Sequence, residues 1–481
     1  MIQEVRNTMK SESRKPSAEK LADSKQIIEK SGVTGDLTRG PVMKSMLCFA
    51  VPMILGNLLQ QCYNIADTLI VGRFLGPNAL AAVGSSFTLM TFLTSILLGL
   101  CMGSGAYFSI CYGQKDETGL KEGMCAAFVM IAGLTLVLNL VVFACLDRIQ
   151  IYLQVPDEVW SLMHEYLQII FYGITATFFY NYFASLLRAV GNSVVPLVFL
   201  AISAILNILL DLIFVLILNR GVAGAAEATV IAQYVSGIGI AVYTWLRFPS
   251  LRVSRVHCRI RLACVRGITG FSILTCVQQS IMNLGILMVQ GLVNSFGPTV
   301  MTAFAAAVKI DAFAYMPVQD FGNAFSTFIA QNYGAQKEDR IRAGLKGAVL
   351  TAVSFSIAVS AIVWVFARPL MLLFVEDCET AILAEGIRYL HIEGAFYCGI
   401  GCLFLLYGLY RALGRPGMSV VLTIISLGTR VILAYAFSGI PSIGVVGIWW
   451  AVPIGWFLAD AVGLCYYWIY KKHILPTRNY S

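Results

Sequence analysis

Charge is what this sequence has least of. Of its 481 residues only 12% are Asp, Glu, Lys or Arg while 58% are hydrophobic, a balance outside that of soluble globular chains and inside that of polytopic membrane proteins. The thirteen cysteines contain no C-x-x-C pair, and Cys398 and Cys402, one helical turn apart, read as packing residues. The four histidines (His164, His257, His391, His473) are scattered, so neither a metal site nor a disulfide framework is expected. No nucleophile motif or phosphate loop appears, and no basic stripe with interleaved aromatics. No enzyme, no cofactor and no nucleic-acid partner is expected. Residues 1–35 lack an apolar core, which argues against a cleavable signal peptide.

What remains is long apolar runs. Stretches of about 20 residues without charge are long enough to cross a bilayer as helices. Twelve are expected, at 46–72, 79–112, 123–146, 166–187, 194–218, 222–246, 267–293, 300–333, 347–367, 389–410, 417–438 and 445–470. With both termini inside, 27 Lys and Arg fall on the cytoplasmic side and five outside, the bias that orients membrane proteins. The net charge of +8 therefore reads as a topology signal that also meets anionic lipid head groups.

The chain repeats itself. Gly76-Pro77 and Gly297-Pro298 stand 221 apart, as do Tyr112-Gly113 and Tyr333-Gly334. Arg188-Ala189-Val190-Gly191 and Arg411-Ala412-Leu413-Gly414 stand 223 apart, as do Gly221-Val222-Ala223-Gly224 and Gly444-Val445-Val446-Gly447. Six spans per half make the halves parallel repeats. The expected fold is all-α integral membrane, with a polar cytoplasmic tail, disordered, over 1–36, an N-lobe over 37–246 and a basic cytoplasmic linker over 247–266. A C-lobe follows over 267–470 and a cytoplasmic tail over 471–481. Two bundles around a normal axis suit alternating access at fold level.

Ionisable groups at membrane depth are expensive and mark function. Nine fall within spans: Asp67, Asp211, Glu227, Lys309, Asp311, Asp320, Glu393, Arg430 and Asp460. Gln60, Asn64 and Asp67 share a helix face, with Asn57, Gln61, Asn64 and Thr68 in an adjacent row. Pro52 offers a hinge or a fixed kink. Asn207 and Asp211 share a face of the fifth span, and with Asp67 they form a small acidic pocket that takes a proton or Na⁺. Thr229 adds a hydroxyl or bonds back to its own helix. Glu227, near the outer end of its span, reads as interfacial. In the second half Gln279, Asn283, Gln290 and Asn294 keep to one face, but the counterpart of Asp67 is Met288. Lys309, Asp311, Asp320, Glu393 and Arg430 read first as a mutually neutralising network and second as cavity lining. The aromatic and Met content suits flat organic cations.

Taken together, Gln60-Gln61-Cys62-Tyr63-Asn64-Ile65-Ala66-Asp67-Thr68, Gly76-Pro77-Asn78-Ala79-Leu80, Leu206-Asn207-Ile208-Leu209-Leu210-Asp211, Gly221 to Thr229 and Gln331-Asn332-Tyr333-Gly334-Ala335 resemble the multidrug and toxic compound extrusion (MATE) transporters. The nearest branch is the prokaryotic DNA-damage-inducible-F-like one, and the resemblance covers about 37–470. It implies a twelve-helix antiporter in a prokaryotic cytoplasmic membrane, exporting organic cations against H⁺ or Na⁺. The coupling site carries over onto Asp67, Asn207, Asp211 and Thr229, with no metal expected unless Na⁺ binds at Asp67 and Asp211. Glu227 departs from the family, which more often has an uncharged residue there; Lys309 matches a basic position. Gln60, Asn64, Gln279, Asn283, Gln290, Lys309, Asp311 and Glu393 are the expected cavity set, Pro52 the hinge, and a monomer the expected state. A lipid-linked oligosaccharide flippase and a non-transporting receptor are the competing readings. The flippase needs a cationic cavity, for which only Lys309 and Arg430 speak.

Overall fold

A computed structural model describes residues 35–152, 155–254 and 262–474. The tail before residue 35, residues 255–261 of the expected linker and the last seven residues lie outside it. The described residues form helices α1 (Val42–Leu75), α2 (Pro77–Gln114), α3 (Glu117–Ala144), α4 (Leu146–Tyr152), α5 (Asp157–Ile170), α6 (Gly173–Ala189), α7 (Val194–Asp211) and α8 (Gly221–Arg247). The second half supplies α9 (Leu262–Asn294), α10 (Pro298–Gly334), α11 (Glu338–Val365), α12 (Ala367–Met371), α13 (Thr380–Gly394), α14 (Tyr397–Ala412), α15 (Pro416–Ser438) and α16 (Val445–Ile474).

Ten of these helices are long and apolar enough to span a membrane, and two broken pairs raise the number to twelve: α5 with α6, bent by 43°, and α13 with α14, bent by 51°. The sequence reading started these two spans at 166 and 389, inside the first helix of each pair. Both helices of a pair are apolar where they meet, so hydropathy does not register the break. Large apolar side chains stand open on the outer faces, with Leu136 and Leu140 each 61% exposed; such a surface is tolerable against lipid and not in water.

The repeat is written into the backbone. Positive φ recurs at Gly76 and Gly297, Lys115 and Gln336, Gly191 and Gly414, and Gly221 and Gly444, the offsets found in the sequence. At Gly76 (φ 87°) and Gly297 (φ 95°) a proline follows as the first helical residue of α2 and α10. Glycine admits the turn without a Cβ clash and proline is preset for the helix start.

The halves meet along α1, α2, α9 and α10, where α2 packs on α9 and α10 while α1 packs on α7 and α10. Met46 and Phe49 of α1 share an apolar cluster with Phe325 and Phe328 of α10. A Cβ on Gly113 would run into the Gln331 carbonyl, and one on its repeat counterpart Gly334 into the Ile110 carbonyl. The seam is therefore closed backbone to backbone at the end carrying the 115–116 and 336–337 corners. The segment before α1 is stitched across that end. Leu37 N donates to Gln331 Oε1 (3.2 Å), Lys337 Nζ to Thr38 O (2.7 Å) and Arg340 Nη1 to Gly40 O (2.7 Å).

Candidate functional site

Asp67 lies on α1, Asn207 and Asp211 on α7, and Thr229 on α8, and these three helices pack against one another. Close approach of α8 is possible because its buried face is built from Ala225, Ala226 and Ala228, small residues that let helix backbones come together. Asp211 ends the regular part of α7. A π-helical turn, Leu212–Ile217, follows, closed by Leu218 N donating to Ile213 O at 2.9 Å. Such turns interrupt a helix at positions where function places a side chain.

The four residues assigned from sequence come together. Asn207 Nδ2 donates to Thr229 Oγ1 at 3.2 Å, and the Thr229 hydroxyl donates its own proton to Ala225 O at 3.1 Å. The back-bonded reading of Thr229 is thus correct, yet its oxygen still faces Asn207. Asp211 is fully buried and Asn207 is 2% exposed. Four buried oxygens have no hydrogen-bond partner: Asp67 Oδ1, Asn207 Oδ1, and Asp211 Oδ1 and Oδ2. The charges of Asp67 and Asp211 are close enough to act on each other. An unpartnered buried acceptor costs about 1–3 kcal/mol and a charged one more, so this cluster is short of positive charge. Two tyrosines escaped the sequence reading: Tyr166 of α5, within electrostatic reach of both carboxylates, and Tyr63 of α1, beside Asp67. Tyr63 was visible inside the Gln60 to Thr68 stretch; Tyr166 gave no local signal.

Glu227 does not join the cluster. Its carboxylate pairs with Arg220 Nη1 at 2.8 Å, the arginine half exposed, which agrees with its interfacial reading.

The expected charge network of the second half is split three ways. Lys309 is exposed and stands over the Phe374 ring, 5.8 Å from its centroid. Asp311 accepts from Tyr389 (3.3 Å) and from Tyr397, and Tyr389 also donates to Glu393 Oε2 at 2.8 Å. Arg430 acts on both carboxylates from a distance; its buried Nε has no hydrogen-bond partner. Asp320 leaves the group altogether and accepts from Asn57 of α1 at 2.5 Å. Local spacing shows which charges share a helix, and the partners here come from other helices.

A cavity of about 100 Å³ lies on the seam, lined among others by Asn57, Gln278, Gln279, Asp320, Asn323 and Arg411. Of the expected cavity set only Gln279 is on its wall. Gln60, Asn64, Asn283, Gln290, Lys309, Asp311 and Glu393 are not. Gln60 is exposed, while Asn64, Asn283 and Gln290 are half-buried. Pro52 lies inside an unbroken α1.

The comparisons agree with this architecture. The MatE family model matches residues 52–213 and again 273–436, once in each half. The chain is 29% identical over 443 residues to the "Probable multidrug resistance protein YpnP" of Bacillus subtilis (strain 168), covering 90% of this chain and 96% of that one. It is 24% identical over 418 residues to the "Multidrug export protein MepA" of Staphylococcus haemolyticus, covering 86% and 90%. Its fold matches the solved structure titled "Outward-facing conformation of a multidrug resistance MATE family transporter of the MOP superfamily" with a TM-score of 0.87 at 23% identity, over 92% of this chain and 99% of that one. With a match in both halves and the same helical architecture, this chain belongs to the MatE family of multi-pass membrane transporters.

Proposed function

We infer that the protein is a secondary antiporter that exports organic cations and other drugs in exchange for H⁺, with both termini cytoplasmic. One observation carries the reading: four buried oxygens on Asp67, Asn207 and Asp211 have no partner. A proton taken up by either carboxylate neutralises it and removes its repulsion on the other. Protonation then changes the packing of α1 against α7 and α8, and Pro52, which removes a backbone hydrogen bond, is where α1 can bend to absorb that change. A cation drives transport only when it binds the two access states unequally.

Na⁺ is the second reading, supported by the all-oxygen character of the set. Two carboxylates, the Asn207 carbonyl oxygen and the Thr229 hydroxyl oxygen are hard ligands of the kind an alkali cation takes. The experiment is reconstitution into proteoliposomes, an imposed pH or Na⁺ gradient, and the flux of a fluorescent organic cation. Export that follows the pH gradient alone supports H⁺, and export that follows Na⁺ at equal pH supports Na⁺. Flux indifferent to both gradients overturns antiport. The names of the relatives YpnP and MepA support multidrug cargo here, and the positive-inside count supports the orientation.

A further inference from the structure

Asp320 has no role in the cation cluster, yet it is 3% exposed at the contact between the halves. Its Oδ1 accepts from Asn57 Nδ2 at 2.5 Å, and its Oδ2 is buried without a partner. Asn57 belongs to the first half and Asp320 to the second, so this bond holds the seam. The repeat counterpart of Asn57 is Gln278, also on the cavity wall, whereas that of Asp320 is Gly99. At the repeat offset this carboxylate therefore has no symmetric twin.

The cavity beside it decides what that carboxylate is for. Arg411 lines the wall, but its guanidinium is engaged on its own half, Nη2 donating to Asn323 Oδ1 at 3.0 Å and Nε to Ser326 Oγ at 3.4 Å. Arg188 acts on Asp320 from farther off. Met102, Met282, Phe404 and Tyr407 add sulfur and aromatic surface to the wall, which favours the flanks of an organic cation. A volume of about 100 Å³ admits a cationic head group and falls short of the roughly 300 Å³ from which sites for whole drugs begin.

We propose that Asp320 is a cargo-binding residue, taking an N–H-bearing cationic group of the exported molecule (an ammonium or amidinium) in place of Asn57. When the halves separate, the Asn57 bond breaks and Asp320 faces the opened cavity with Oδ2 unpartnered and only Asn323 of its own helix beside it, an acceptor that a new donor can occupy. A charge-assisted N–H bond from the cargo supplies it. Cargo and seam closure then compete for one acceptor, which gives the cargo a preference for the separated seam. Calling the ligand cargo rests on the export reading above; the cavity and its carboxylate do not.

The test is equilibrium binding to the purified full-length protein in lipid nanodiscs, with a fluorescent aromatic bis-amidine and with tetraphenylphosphonium, which has no N–H. Asp320→Asn is expected to weaken amidine binding about ten- to hundred-fold and tetraphenylphosphonium binding by much less. Asn57→Ala, which frees Asp320, is expected to tighten the amidine. A bond that merely braces the fold predicts that both variants weaken both probes alike, and that result overturns the proposal. Unchanged amidine affinity in Asp320→Asn also overturns it, leaving the export reading intact if wild type still transports. Wild type that neither binds nor moves either cation removes both.

Discussion

Replacing Asp211 by Asn separates coupling from folding. A gradient of one pH unit stores about 1.4 kcal/mol per proton, enough to sustain about a ten-fold cargo gradient for each proton exchanged. If Asp67 and Asp211 each carry a proton, wild-type vesicles clamped at zero potential reach about a hundred-fold accumulation per pH unit. Asp211→Asn keeps the shape and loses the exchangeable charge, so accumulation falls to about ten-fold if Asp67 still turns over alone. It vanishes if the pair acts as a unit, as groups in one mechanism often do. Stability moves the other way. The side chain is fully buried with both oxygens unpartnered, and the new amide can donate to Asp67 Oδ1 or Asn207 Oδ1. Satisfying one or two such acceptors is worth about 1–3 kcal/mol, or roughly 1–3 °C in Tm for a chain of this size. The assays are gradient-driven uptake in proteoliposomes and thermal unfolding in detergent. Wild-type accumulation under both pH and Na⁺ gradients refutes the reasoning about coupling. A clearly lowered Tm refutes the claim that this carboxylate is kept at the expense of stability.

Tyr166→Phe removes a hydroxyl within reach of both carboxylates. Its half-saturating proton or Na⁺ concentration should shift about three- to ten-fold with the maximal rate retained, as initial-rate titrations will read. Glu227→Gln breaks the half-exposed pair with Arg220, worth about 0–1 kcal/mol, so transport and Tm should both stay near wild type; loss of coupling would return Glu227 to the cation site. Gly113→Ala drives a methyl group into the Gln331 carbonyl and should cost about 1–3 kcal/mol, seen as a lower Tm and an increased α2–α10 distance between spin labels at the corner end.

The spans and the two halves were legible because each is a matter of local period or of fixed offset, and the Asp67, Asn207, Asp211 and Thr229 set because its members match motif positions of the family that the sequence resembles. Apolar runs mark helices, i and i+4 mark faces, and 221 and 223 mark the repeat. What escaped was whatever joins distant chain positions. Asn57 and Asp320 are 263 residues apart, and no periodicity on either helix reveals that one donates to the other. Tyr166 sits in a stretch with Asp157, Glu158 and Glu165 whose amphipathic pattern looks interfacial, yet α5 leans against α8 and α2 and turns this tyrosine inward. The charges of the second half were countable in sequence, but their division among Tyr389, Tyr397, Asn57 and Phe374 depends on which faces other helices present.

The contrast between the halves bears on why the proposed coupling is assigned to one of them. At the repeat offsets Asp67 falls on Met288, Asn207 on Arg430 and Asp211 on Ala434. Met288 is 44% exposed and Ala434 is fully buried, so neither offers an acceptor. Where the first half leaves an amide oxygen open, the second half places a guanidinium, and its carboxylates Asp311 and Glu393 lie nearby with tyrosine hydroxyls already donated to them. A guanidinium tethered to its helix compensates charge without ever leaving, so it cannot carry a gradient. An exchangeable cation fits only where acceptors stand empty. On the proposed antiport reading, only a ligand that comes and goes can bias one access state over the other; the cluster on α1, α7 and α8 gathers four empty acceptors, whereas those of the second half, on Asp320, Glu393 and Asp460, stand on separate helices.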